Sequence, residues 1–217
     1  MNVTTDHGLN RWQEAGEPLI PSLLADETAT PILHRSQLAL LLSLPVAGSG
    51  DARRVAGGTI SILGSWTTLI EPAGWEILIA PTPSRGRTIR NLTVNVFHPF
   101  ELLSTAWAGG RFEWDPDRDD EREAQIETAE ALHRYASAIV QMWTAALLEI
   151  DPELAREDRH VDSPRGEIAF SNLLEQQRWH AAFHYRQITT FLVSRGQEVR
   201  SLDLAGFVGV DLPEDVF

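Results

Sequence analysis

Leu173-Leu174-Glu175-Gln176-Gln177-Arg178-Trp179-His180-Ala181-Ala182-Phe183-His184-Tyr185-Arg186-Gln187-Ile188-Thr189-Thr190-Phe191 is the stretch that decides the fold. At about 100° per residue, Leu173, Gln177, His180, His184, Ile188 and Phe191 fall within an arc of roughly 80°. The spacing predicts a helix over 167–195, closed by Gly196 in the left-handed conformation that glycine adopts without strain. Two imidazoles sit in the middle of the stripe that faces the core. One turn of helix separates them, so their Cβ atoms lie about 6 Å apart. Both rings can then converge on one ion at bonds of about 2.0–2.1 Å. A histidine on an apolar face is more often a core side chain with a hydrogen-bond partner. Two adjacent ones, with Gln177 beside them, balance that reading against a metal.

Three further helical patterns lie upstream. Thr30-Pro31 reads as an N-cap followed by proline at the first helical position, opening a leucine-rich helix over 32–44. Thr88 caps a second, in which Ile89, Leu92, Val96, Phe100, Leu103 and Trp107 share a face. Val94 and Leu102 on the other side imply burial on two sides, and Pro99 predicts a kink or break. A third pattern covers 119–150, with acids at its start and Ala129, Leu132, Ala136, Val140, Trp143 and Leu147 on one stripe. Residues 51–70 are ambiguous because Gly57, Gly58 and Gly64 weaken a helix there. Residues 75–79 read as an ordered connection, and the polar segment up to Gly166 as another. The expected fold is all-α: a helical bundle over 30–196, a lead-in over 1–29 and a C-terminal tail over 197–217 packed on the bundle.

Composition narrows the function. Apolar residues make up 43% and charged residues 23% of the 217 positions, a globular mix. No apolar run approaches the roughly 20 residues that span a bilayer, and no secretory signal is visible, so a cytoplasmic protein without a membrane partner is expected. The net charge of −13 argues against a nucleic-acid partner. No lysine is present, which excludes Schiff-base chemistry by the chain's own amine. With no cysteine, any metal must be held by histidines and carboxylates, and any thiol chemistry must use an external thiol.

The segment Trp179-His180-Ala181-Ala182-Phe183-His184-Tyr185-Arg186-Gln187-Ile188 resembles the closing helix signature of the DinB/YfiT-like superfamily. There, H-x-x-x-H is followed by x-x-Q and an apolar residue. Gly74-Trp75, then Thr88-Ile89-Arg90-Asn91-Leu92 and His98, are similar to the same family's second helix. The resemblance covers residues 30–195. It implies a four-helix bundle, with extra N-terminal and inter-helix segments in this chain. It also implies a divalent metal (zinc, nickel, iron or manganese) on three histidines, here His98, His180 and His184, often in a homodimer. The activities implied are S-transfer or isomerisation with a low-molecular-weight thiol of the mycothiol, bacillithiol or glutathione type, acting on a small-molecule electrophile.

Three imidazoles on one ion leave positions for water and substrate, as a catalytic site requires. Hydrolysis by a metal-bound water and a non-catalytic metal site are the alternatives. Glu101 is a candidate base or orienter, competing with a solvated surface role. Arg186 is a candidate for holding an anionic substrate, competing with pairing to the acidic loop. His98 departs from the pattern, because Pro99 follows it and an ideal wheel puts it opposite the Ile89 stripe. His133, at the edge of the third helix's stripe, competes with it, although a structural role suits His133 better. The acidic run 115–123 lacks EF-hand spacing and reads as solvated.

Overall fold

The computed structural model describes residues 52–83, 85–148, 160–199, 207 and 209–213. The expected helix over 32–44, the lead-in over 1–29, and His7 and His34 lie outside the described residues. Among the described residues the chain is mostly helical, with one small sheet.

Helix α1 spans Ala52–Ile70 and settles the ambiguous segment as helix. Its glycines lower intrinsic propensity, but Val55, Ile62, Leu63, Trp66 and Ile70 are buried, and that burial outweighs the cost. Two threonine hydroxyls bond back to the helix: the fully buried Thr59 Oγ1 donates to the Val55 carbonyl and Thr67 Oγ1 to that of Gly64. A single turn, α2 (Trp75–Leu78), occupies the expected connection.

Helix α3 (Ile89–Gly109) begins where the sequence places it. Thr88 Oγ1 accepts the Asn91 N–H at 3.0 Å, and Gly110 closes the helix at φ 72°. It runs through Pro99 as one element, so the proline does not end it. Residues 92–100 are all buried, well beyond the two-sided burial that the sequence suggests.

The single helix expected over 119–150 is two. Helix α4 (Pro116–Ala124) and helix α5 (Ala129–Leu148) are separated by residues 125–128. There Ile126 turns inward to full burial, and Thr128 Oγ1 accepts the Ala131 N–H to start a new helix. The polar connection before Gly166 holds a hairpin rather than a loop. Strands β1 (His160–Ser163) and β2 (Gly166–Ala169) are antiparallel, with Val161 opposite Ile168 and Asp162 opposite Glu167. Gly166 has φ 101°, which a glycine reaches without strain. The hairpin is tied to the chain after α3 by Phe112 N–H donating to the Asp162 carbonyl and Asp162 N–H to that of Gly110.

Helix α6 (Phe170–Ser194) follows β2 directly, and Gly196 beyond it has φ 73°. Helices α1 and α3 each pack against both α5 and α6. Trp66 lies where three of them meet. Its ring is 5.9 Å from Phe97 of α3 and 6.2 Å from Tyr185 of α6, and its Nε1 donates to Thr93 Oγ1 at 2.9 Å. Phe100 and Trp143 make a similar edge-to-face contact between α3 and α5, at 5.4 Å. Beyond α6, Trp179 Nε1 donates to the Asp211 carbonyl and Arg186 Nη1 to that of Pro213, while Phe207 packs on Tyr185. No helix among the described residues is long and apolar enough to cross a membrane.

Candidate metal and substrate site

His180 and His184 face each other on successive turns of α6, with ring centroids 4.6 Å apart and planes at 81°. His184 Nδ1 lies 2.6 Å from Oε1 of Gln187, and both side chains are buried. An amide oxygen only accepts, so Nδ1 carries the proton and the Nε2 lone pair is left available. His180 is half-buried and its ring nitrogens make no hydrogen bond among the described residues. Burial pushes its pKa down to about 3, helped by His184, Arg87 and Arg165. Burial likewise lowers His184 to about 4, with the Gln187 hydrogen bond opposing and Arg87 assisting. Both are therefore neutral imidazoles at pH 7, the form that ligates metals.

His98, on α3, is inside the protein. Its Nδ1 is 2.6 Å from Asp119 Oδ1, and both groups are buried. The other carboxylate oxygen, Oδ2, accepts from Asn95 Nδ2 at 3.0 Å and from Trp114 Nε1 at 3.1 Å. A histidine fixed at Nδ1 by a carboxylate presents Nε2, the second-sphere arrangement usual for metal-binding imidazoles. The helical wheel puts His98 opposite the Ile89 stripe. That is no obstacle, because this part of α3 is buried all round and no kink is needed.

One turn further on, Glu101 is buried too, which removes the solvated reading. Arg122 Nη2 donates to its Oε1 at 2.9 Å. Burial raises the Glu101 carboxyl above its ordinary value, against the lowering effects of Arg122 and His98. Close by, the Tyr135 hydroxyl is fully buried without a hydrogen bond among the described residues. Its pKa is raised well above the ordinary value by desolvation and by the charge of Glu101.

An open cleft of about 670 Å³ separates the hairpin from α6. Pro99, Phe112, Trp114, Ile168 and Leu173 supply apolar walls; Gln176, Gln177, Arg165 and His180 supply polar ones. His180 thus reaches the cleft, as do Pro99, adjacent to His98, and Trp114, which holds Asp119. Glu101 and Arg186 do not line it: Glu101 is locked to Arg122, and Arg186 holds the tail at 2.6 Å.

The structure therefore brings His180 and His184 together and sets His98 on the neighbouring helix with a different partner. Among the described residues no three His, Asp or Glu side chains stand close enough to hold a metal ion as placed. The donor chemistry still fits one, with two neutral imidazoles side by side and two Nδ1 atoms already committed to oxygen acceptors. His133 makes a long 3.4 Å contact with Ser137 within α5, and His160 is exposed on β1.

Comparison with protein-family models, curated proteins and solved structures finds no match. The chemistry has to be read from this chain alone.

Asp119, Asn95 and Arg165 carry no sequence signal that marks them for the site. Gln187 was legible, standing three residues after His184. Asp119 was hidden in an acidic run whose composition suggests solvent, although Asp119, Arg122 and Glu123 have the three- and four-residue spacing of one helical face.

Proposed function

We propose that the chain is a divalent-metal-dependent enzyme of the DinB/YfiT-like type, a four-helix bundle that transfers a low-molecular-weight thiol to a small electrophile or isomerises the adduct. The observation that carries this reading is the anchoring of two imidazoles at Nδ1, His98 by Asp119 and His184 by Gln187, with unprotonated His180 beside the second.

In this reading His180 and His184 hold zinc, nickel, iron or manganese, and His98 completes the set. Such an ion lowers the pKa of a thiol or water and polarises a carbonyl. Asp119 and Gln187 keep the tautomers that offer Nε2. The walls of the cleft, Phe112, Trp114 and Ile168 among them, remove water from a bound electrophile and hold it against His180. Without a cysteine in the chain, the sulfur nucleophile comes from outside. The resemblance to that superfamily also supports a homodimer.

Elemental analysis of the untagged protein beside a His180→Ala/His184→Ala double variant tests the reading. About one metal per chain, lost in a double variant whose circular dichroism stays helical, is expected. Conjugation of thiols to an aryl halide or epoxide should then follow metal loading. Turnover of ester or amide probes without thiol would reassign the enzyme as a hydrolase. No metal in the wild type, even after incubation with zinc, nickel or manganese, would end the proposal.

A further inference from the structure

The chain carries a net charge of −13, yet beyond the His184 ring the charges that act on His180 are two guanidiniums, Arg87 and Arg165. Arg165 stands at the tip of the β1–β2 hairpin, exposed, and lines the cleft. Its guanidinium makes no hydrogen bond or ion pair among the described residues. The tip is itself fixed: Ser163 Oγ donates to the Gly166 carbonyl at 2.7 Å and accepts the Arg165 N–H at 3.2 Å. A guanidinium on a pinned turn loses less freedom on binding than one on a loose loop.

Flat apolar side chains share the lining with this cation. Phe112 is buried, and Trp114 has its indole fixed by the hydrogen bond to Asp119. Glu167 is the one acidic residue of the lining. Strand alternation puts its side chain on the same face as its cross-strand partner Asp162, opposite the face of Val161 and Ile168. As the one guanidinium of the lining, Arg165 suits a monoanion better than a phosphate dianion, and its fork matches a carboxylate in bidentate fashion. The cleft volume lies within the usual range for small-molecule sites.

We propose that the cleft binds a small organic carboxylate, its carboxylate on the Arg165 guanidinium and its flat apolar body against Phe112 and Trp114, with the opposite end at His180. Assigning that end to the reacting centre rests on the metal reading above; the anion site does not.

Calorimetric titration of the metal-free protein with 4-phenylbutyrate and its neutral counterpart 4-phenyl-1-butanol tests the site separately from the metal. The carboxylate should bind about tenfold more tightly than the alcohol. In Arg165→Gln, at an exposed hairpin tip, that preference should vanish while alcohol binding is unchanged. Equal binding of the two probes to the wild type, binding of neither, or a preference that survives Arg165→Gln would each overturn the proposal. Because no metal is present, those failures leave the elemental analysis standing, and an absence of metal leaves the titration interpretable.

Discussion

Asp119 grips the Nδ1 of His98 at 2.6 Å across the seam between α3 and α4, and its second oxygen is held in turn by Asn95 and Trp114. The carboxylate has no rotational freedom left, so the imidazole plane is set by three residues besides itself. Asp119→Asn keeps the volume and replaces a charged acceptor by a neutral one. Removal of such a second-sphere partner typically costs about 10–100-fold in metal affinity. Competition with a chromogenic chelator should show that loss, while the far-ultraviolet spectrum stays helical. Unchanged affinity would separate His98 from the metal.

A second expectation concerns acid. The folded-state pKa values of His180 and His184, about 3 and about 4, lie below the ordinary 6.5. Between those limits the unfolded chain binds protons that the folded chain does not. Their effect is absent above pH 6.5 and destabilises the fold increasingly as pH falls towards 4. Each imidazole can contribute up to about 1.4 kcal/mol per pH unit in that window. Urea unfolding of the metal-free protein between pH 7 and 4.5 should show a steeper fall for the wild type than for His180→Ala/His184→Ala. Parallel curves would mean that both rings are already solvated.

The Glu101–Arg122 pair makes a sharper stability test. Both side chains are buried, so Glu101→Ala strands a guanidinium and should cost about 3–5 kcal/mol. Replacing both partners with leucine removes the stranded charge and should recover much of the loss. Denaturant midpoints of the two variants decide it, and equal destabilisation would show that the geometry of the pair, and not the orphaned charge, sets the cost.

At the meeting point of α1, α3 and α6, Trp66→Ala deletes two edge-to-face contacts and the hydrogen bond to Thr93. A cost of about 3–5 kcal/mol follows for so large a cavity. Trp66→Phe should recover most of it, falling short by the lost indole hydrogen bond, since the Thr93 hydroxyl still donates to the Ile89 carbonyl. A thermal melt that does not distinguish the two would place Trp66 outside the cooperative core.

Helices α3 and α6 were legible because their signals are local: Thr88 as a cap, Gly110 and Gly196 as terminators, apolar residues at three- and four-residue steps. The break at 125–128 was not. Ala124, Gln125, Ile126 and Glu127 include no proline or glycine, and the chain leaves the helix to bury Ile126. Its cause is tertiary. The hairpin's turn residues, Pro164-Arg165-Gly166, stand in a polar segment whose two strands bury only Val161. At the site, the His180/His184 pair could be read from spacing alone. Asp119 could not, since an acid in an acidic run reveals its burial only once α4 is laid along α3. The burial of Glu101 is hidden for the same reason, its partner Arg122 lying 21 positions away.

The contacts that seat the C-terminal tail have a property of their own. Trp179 and Arg186 both donate to main-chain carbonyls, those of Asp211 and Pro213, so no side chain of the tail takes part in either bond. Substitutions at 211 and 213 can therefore pass unnoticed, whereas adding or deleting a residue between 211 and 213 changes the spacing of the two carbonyls. Because Trp179 also lines the cleft, such an insertion would be felt at the ligand. In this part of the protein, evolution and the engineer are free with spelling and bound by length.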